Sequence, residues 1–103
     1  MNFLKMEGLG NDFLVTHEIS VGQADQLMQA APRLCDRHFG VGGDGVILIL
    51  PSTTADFQMR IFNADGSEAE MCGNGIRCCA VYIYEKSLST KKELCIATKA
   101  GLK

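Results

Sequence analysis

The sequence lacks the features that mark several common classes of protein. Its longest apolar runs, residues 46–50 and 78–84, are far shorter than the ~20 residues that cross a bilayer, and no apolar core of signal-peptide length follows Met1. No basic run exceeds the pair Lys91 and Lys92, and the formal net charge is −2, which argues against nucleic-acid binding. We therefore expect a cytoplasmic protein with no nucleic-acid and no membrane partner.

The five cysteines cannot all be paired in disulfides, because their number is odd. They also lack the spacing of a zinc site, since Cys72 and Cys78 stand six positions apart, Cys79 is adjacent, and both histidines lie upstream. No Cys-x-x-Cys motif is present, which disfavours a thiol redox protein. We expect reduced thiols, most of them small buried side chains, and no metal ion.

What remains is the composition of one ordinary globular domain, with 103 residues, 47% of them hydrophobic and 21% charged. No linker, repeat or low-complexity segment interrupts it. Hydrophobic periodicity and turn residues predict helices at 23–38 and 73–85, and strands at 2–6, 12–17, 46–50, 56–63, 68–71 and 93–98. Such an order indicates an α+β domain whose sheet curls around a helix.

Three features of these segments carry further expectations. Pro32 lies inside the first predicted helix, so that helix either kinks or begins afresh there, and the sequence leaves both alternatives open. Apolar residues cover most of the circumference of helix 73–85, which predicts a helix packed on all sides. Asp65 and Gly66 form a strong turn signal after the strand at 56–63.

Cys72 directly precedes the glycine-rich start of the second predicted helix. A helix N-terminus carries partial positive charge and unpaired N–H groups, so it lowers the pKa of a cysteine placed there. The N–H groups of Gly73 and Asn74 are donors of the kind that hold a carboxylate, and glycine lets a ligand approach the backbone. The residues alone leave two interpretations equally weighted: a base beside a carboxylate site, or a buried cysteine at a helix start.

A reaction that needs both a base and a carboxylate site is removal of the α-proton of an amino acid. The carbon acid is weak, so aimed N–H donors must stabilise the negative charge that develops. A positioned base takes the proton on one face. Inversion then requires a second acid on the opposite face.

Four segments together resemble the diaminopimelate epimerase family: KMEGLGNDF at 5–13, CDRHFGVGGDG at 35–45, RIFNADGSE at 60–68 and MCGNGIRC at 71–78. The resemblance implies an isomerase of lysine and peptidoglycan precursor biosynthesis. Such an enzyme interconverts LL- and meso-diaminopimelate without pyridoxal phosphate or any other cofactor, using one cysteine thiolate and one cysteine thiol. In this sequence Cys72 matches a catalytic cysteine, Gly73 and Asn74 match the donors to the substrate carboxylate, and Asn11 and Asn63 match side chains that clamp the substrate.

The resemblance also implies a fold of two similar halves, each a strongly curled, mostly antiparallel sheet around a central helix, with the site in the cleft between them. Residues 1–103 correspond to the N-terminal half, and no other cysteine here lies in a second motif like that of Cys72. We therefore expect a chain that carries half an active site and is inactive alone. A further hypothesis is that two copies pair as a homodimer, with a Cys72 from each facing one cleft.

Two alternatives remain beside this interpretation. One is a related cofactor-independent racemase with another substrate, such as a proline-racemase-like enzyme, although those relatives tend to have histidine where Asn74 stands. The other is a non-catalytic fragment that associates through an exposed apolar face.

The remaining motifs favour structural roles. The glycines of residues 40–45 invite a dinucleotide-binding interpretation, but they follow a predicted helix and precede a strand, which is the reverse of the required context. We interpret them as a connecting turn. His17 is expected at the surface, His38 as a hydrogen-bonded residue near a helix end, and Arg60 and Arg77 as partners of carboxylates.

Overall fold

A computed structural model describes residues 4–8, 11–17, 24–37, 42–69, 73–86, 88–90, 94–98 and 101–102. These residues form seven strands and two helices. In chain order they are β1 (Leu4–Gly8), β2 (Asn11–Thr16), α1 (Ala24–Leu34), β3 (Gly45–Leu50), β4 (Phe57–Asn63), β5 (Glu68–Ala69), α2 (Gly73–Glu85), β6 (Ile96–Thr98) and β7 (Gly101–Leu102). Neither described helix has the length and apolar character needed to cross a membrane.

The strands form one mixed sheet in the order β1-β2-β3-β4-β6-β7. The pairs β1–β2, β3–β4, β4–β5 and β6–β7 are antiparallel, and the pairs β2–β3 and β4–β6 are parallel. One edge of β4 is shared, because β5 pairs with Ile61 and Phe62 while β6 pairs with Phe57 and Gln58. The predicted α+β class is confirmed.

The two helices cover opposite faces of this sheet and create two cores. On one face α2 packs over side chains of β2, β3, β4 and β6, and on the other α1 packs over side chains of β2, β3 and β4. All six residues of β3 are buried, since its side chains point alternately into the two cores. Burial on both faces explains why this strand is a continuous apolar run instead of an alternating one.

The handedness of chain crossovers accounts for the positions of the helices. Helix α1 connects the parallel strands β2 and β3, and α2 lies in the connection between the parallel strands β4 and β6. Both connections step in the same direction across the sheet, but β4 runs antiparallel to β3. Two right-handed crossovers with these opposite strand directions place their helices on opposite faces, as the structure has them.

Helix α2 begins and ends where the sequence predicts, but the expectation that it packs on all sides is wrong. Its buried residues follow one stripe at helical spacing: Gly75, Cys78, Cys79, Tyr82 and Ile83. Val81 and Tyr84 fall outside this stripe and are 47% and 43% exposed. The physical reason is that α2 lies against one face of a single sheet, so its outer side chains meet no sheet of the described residues.

Helix α1 continues through Pro32, so the alternative in which a helix begins afresh there is wrong. The helix ends at Leu34, earlier than predicted, because the carbonyl groups of Leu34 and Cys35 accept hydrogen bonds from the N–H groups of Gly42 (3.0 Å) and Gly43 (3.2 Å). Residues 35–37 therefore lie beyond the helix. The ends of the predicted span, residues 23 and 38, lie outside the described residues, and so does the role expected for His38.

The other predicted strands are present with shifted ends. Residues 2–3, 70–71 and 93 of the predicted strands lie outside the described residues, and β7 was not predicted. The interpretation of the glycine-rich segment as a connection between a helix and a strand is confirmed for its described residues 42–44, whereas Gly45 already belongs to β3.

The expectations for the polar residues Arg60 and His17 have opposite outcomes. Arg60 forms a two-pronged ion pair with Glu68, at 2.9 and 2.8 Å, as expected. His17 is not a surface residue: it is half-buried, and its Nδ1 lies 2.6 Å from the hydroxyl oxygen of Tyr82 in a hydrogen bond. Arg77 is exposed on α2, and the carboxylate partner expected for it stays a prediction.

The register of β3 and β4 leaves room only for glycine at position 45, which gives a first prediction. A methyl group at Gly45 would lie 2.8 Å from the carbonyl oxygen of Phe62. Gly45→Ala is therefore expected to lower the free energy of unfolding by about 1–3 kcal/mol, as overpacking does elsewhere. Urea unfolding followed by circular dichroism measures this loss.

Gly73→Ala is the matched control. A methyl group there meets no described atom within 4 Å, and alanine is favoured over glycine in helices, so its unfolding midpoint should not fall. Equal midpoints for the two variants would contradict the close contact at Gly45.

Candidate active site

Two of the predicted substrate residues lie at one end of the sheet. Gly45, the first residue of β3, pairs with Phe13 of β2 on one side and with Asn63 of β4 on the other. Asn11 begins β2, two positions before Phe13. The backbones of Asn11 and Asn63 therefore lie at the same end of neighbouring strands, hereafter the Asn63 end. The Asn63 side chain is exposed, whereas that of Asn11 lies outside what the structure describes.

Helix α2 is directed so that its N-terminus points toward the Asn63 end. Tyr82, in the C-terminal half of α2, is hydrogen-bonded to His17, which directly follows β2. Before the other end of the helix, Ala69 pairs with Ile61 of β4, two residues from Asn63, and only three residues separate Ala69 from Gly73. The first turn of α2 therefore lies near the Asn63 end, whereas Tyr82 lies near the opposite end of β2.

The first turn of α2 offers backbone donors and open space. The first N–H groups of a helix have no acceptor within the helix, and the first turn of α2 contains no acidic residue to compensate its positive end. Gly73 is exposed, with open space where a side chain would stand, and Asn74 is half-buried. An approaching carboxylate meets no steric barrier from the described residues at Gly73.

Cys72 lies outside the described residues, immediately before α2. Its place in the chain puts it next to Gly73, but its side-chain position and the pKa of its thiol stay predictions.

The turn after β4 holds the Asn63 side chain in a hydrogen-bonded network that sequence analysis missed. The Asn63 Nδ2 group donates to Ser67 Oγ at 3.0 Å. The hydroxyl and the backbone N–H of Ser67 both donate to Asp65 Oδ1, at 2.5 and 2.8 Å. These hydrogen bonds lower the pKa of the Asp65 carboxyl. An aspartate followed two residues later by a serine is a known turn signature, and this pattern could have predicted the hydrogen bonds of the turn from the sequence.

A second polar group was also missed, and it ties the α1–β3 connection to β2. The N–H of Asp12 donates to Asp44 Oδ2 at 2.7 Å, and the N–H of Asp44 donates to the carbonyl oxygen of Asp12 at 2.7 Å. The Arg37 guanidinium lies 3.3 Å from Asp12 and 3.5 Å from Asp44. This group fixes the start of β2 beside the start of β3, next to Asn11.

The three buried cysteines are poor candidates for a base. Burial, with a smaller contribution from the adjacent Cys78, raises the pKa of the Cys79 thiol to about 12. Burial, followed by the charge of Asp44, also raises the pKa of Cys35. Cys35, Cys78 and Cys79 are buried, and none of them forms a disulfide with another described cysteine. The expectation that most cysteines are small buried side chains is confirmed for these three.

These thiols give a second prediction. Iodoacetamide at about pH 8 is expected to leave Cys79 unmodified in the folded chain and to modify it in urea, because only the thiolate reacts and burial suppresses it. Peptide mass spectrometry after timed labelling measures the rates, with the partly exposed Cys95 as the internal control. Alkylation of Cys79 as fast as that of Cys95 in the folded chain would contradict the burial described.

Comparison with known proteins identifies the family. The profile of the family described as diaminopimelate epimerase matches residues 3–103. A diaminopimelate epimerase of Caldanaerobacter subterraneus subsp. tengcongensis is 54% identical over 102 residues, which cover 99% of this chain and 36% of that protein. One of Carboxydothermus hydrogenoformans is 56% identical over 104 residues, or 99% of this chain and 38% of that protein. The chain thus spans little more than a third of the length of these relatives.

Solved structures with low sequence identity share the fold. A phenazine biosynthesis protein of the PhzF family from Bacillus anthracis superposes with a TM-score of 0.67 at 23% identity, over 97% of this chain and 32% of that one. A PhzF-family protein from Enterococcus faecalis gives 0.65 at 13% identity, over 90% and 32%. The matched profile, together with the relatives at more than half identity, shows that the chain belongs to the diaminopimelate epimerase family.

Proposed function

We propose that this chain supplies one side of the active site of a diaminopimelate epimerase, which moves the α-proton of diaminopimelate between cysteine thiols. The observation that carries the proposal is the first turn of α2, which has open space beside Gly73 and lies near the end of the sheet that bears Asn63. In a member of this family, that geometry suits a carboxylate ligand.

In the proposed reaction the Cys72 thiolate removes the α-proton, so that an S–H bond forms as the C–H bond breaks. The electron pair stays on the α-carbon and is delocalised into the substrate carboxylate. The N–H groups of Gly73 and Asn74 donate to that carboxylate, and a fixed donor of this kind contributes about 10²–10³-fold to rate in other enzymes. A proton delivered to the opposite face then completes inversion.

The acid that delivers this second proton is proposed to come from the rest of the protein. Burial raises the pKa of Cys79 to about 12 and also raises that of Cys35, and Cys78 is buried, so none of the three suits a group that must exchange protons at neutral pH. The relatives extend well beyond the matched third of their length. A second half of the fold, facing the Asn63 end, is the proposed source.

The same proposal accounts for the outer face of α2. We propose that the sheet curls around this helix in the whole protein, as one of two similar halves. Support comes from Val81 and Tyr84, two apolar side chains that stand 47% and 43% exposed beside the buried stripe. Further chain covering them would make α2 a central helix and would remove apolar surface from water.

The test is deuterium incorporation at the α-carbon of diaminopimelate in D₂O, followed by NMR. The parent chain is expected to exchange the α-proton without inversion, because a single base returns deuterium to the face from which it took the proton. Cys72→Ala is expected to reduce the rate by about 10²-fold or more, which is the usual contribution of a general base.

Cys95→Ala is the matched control, because Cys95 hydrogen-bonds through its backbone to Asp56, at the end of β4 remote from Asn63. This variant should exchange at the parent rate. Equal, background exchange in the parent and in Cys72→Ala would rule out the proposed base.

A further inference from the structure

We infer that Asp65 and Ser67 form a positioning relay for Asn63, in which the carboxylate orients the hydroxyl and the hydroxyl orients the amide. Ser67 and Asp65 are thereby positioning residues for substrate binding that act through Asn63. The inference rests on the proposed function, since it takes Asn63 as a substrate contact.

The chemistry of the three groups fixes the direction of each hydrogen bond. An ionised carboxylate only accepts hydrogen bonds, so the single hydroxyl proton of Ser67 must point at Asp65 Oδ1, 2.5 Å away. Ser67 Oγ then has only lone pairs to offer Asn63 at 3.0 Å. The amide atom that faces Ser67 must therefore be the donor Nδ2, and the carbonyl oxygen Oδ1 must face the other way.

This orientation determines what Asn63 presents to a ligand. One N–H is used in the turn, which leaves the carbonyl oxygen as an acceptor and the second N–H as a donor. The side chain is exposed at the Asn63 end. An oxygen held outward accepts a hydrogen bond from the ammonium group of an amino acid, whereas a rotated amide would offer two donors in its place and repel that group.

The backbone keeps the relay in place. The N–H of Asn63 donates to the carbonyl oxygen of Ser67 at 2.7 Å, and the N–H of Gly66 donates to the carbonyl oxygen of Asn63 at 2.9 Å. Gly66 has a φ of 90°, and a methyl group there would lie 3.2 Å from the Met28 carbonyl oxygen of α1. A turn packed this closely holds Asn63 before substrate arrives, which reduces the entropy lost on binding.

The lowered pKa of the Asp65 carboxyl is consistent with this arrangement. Two hydrogen bonds from Ser67 stabilise the charged form, so the carboxylate remains an acceptor at neutral pH. As the pH falls through the lowered pKa, Asp65 gains a proton, and the Ser67 hydroxyl is no longer held in one direction.

Four variants of the 103-residue chain test the relay. Ser67→Ala removes the hydroxyl, and Asp65→Ala removes the acceptor that orients it. Ser67→Thr keeps a hydroxyl at an exposed position. Ser52→Ala is the matched control, because Ser52 Oγ accepts hydrogen bonds from the N–H groups of Thr54 and Ala55 in the connection after β3, at the opposite end of the sheet.

The first readout is NMR of the Asn63 side-chain amide without ligand. In the parent, Ser67→Thr and Ser52→Ala, the two Nδ2 protons are expected to differ in shift because one is hydrogen-bonded. In Ser67→Ala that difference should collapse, and in Asp65→Ala it should decrease. An unchanged Asn63 amide in Ser67→Ala would overturn the relay.

The second readout is titration with diaminopimelate, followed through the backbone amides of Gly73 and Asn74. Ser67→Ala is expected to raise the dissociation constant about fivefold, which corresponds to the usual net contribution of one hydrogen bond. Ser67→Thr should restore the dissociation constant of the parent. Parent affinity in Ser67→Ala, with Gly73 and Asn74 still shifting, would overturn the relay and leave the proposed function intact. An absence of shifts at Gly73 and Asn74 in the parent would overturn the proposed function itself.

Discussion

Strand β3 is the constraint on which the remaining structure depends, because its side chains enter both cores. Ile47 and Ile49 pack toward α2, while Val46, Leu48 and Leu50 pack toward α1. A shift of one residue in the pairing of β3 would turn each of its side chains to the other face of the sheet. Each set of side chains would then enter the core that is packed around the other set. The same register sets Gly45 between Phe13 and Asn63. Core packing therefore fixes the backbone geometry of the candidate site, which needs no separate scaffold.

Position in the fold, not residue type, separates the chemistry of the cysteines. Cys78 and Cys79 lie on the buried stripe of α2, where the pKa of Cys79 is raised because water is excluded from its thiolate. Cys72 precedes the same helix by one residue in the sequence, and there we expect the partial charge of the helix terminus to lower the pKa of the thiol. The buried thiols of α2 and the proposed base Cys72 thus lie within two helical turns of each other along the chain.

The sequence predicted elements well and tertiary pairings poorly. Helix α2 was located to the residue because glycines mark its start and an apolar run follows. Its one-sided burial was missed, since a wide apolar circumference does not reveal whether a helix meets one sheet or is surrounded. The His17–Tyr82 hydrogen bond joins residues 65 positions apart, and no local pattern reports such a contact. Asn63 was predicted as a site residue by family resemblance, whereas its hydrogen bond to the Ser67 hydroxyl emerged only from the geometry of the turn.

Sharing of one edge of β4 between β5 and β6 has a consequence for the order in which the domain assembles. The β3–β4 pair and the turn that leads into β5 join segments close in the chain, so the loops they close are short. Pairing of β6 with β4 must instead wait for the whole α2 connection to close. We therefore expect the β6–β7 edge to be the last part of the sheet to form and the first to open. Because the Asn63 turn pairs with β3 and β5 and packs against α1, local opening of that edge leaves the turn itself paired.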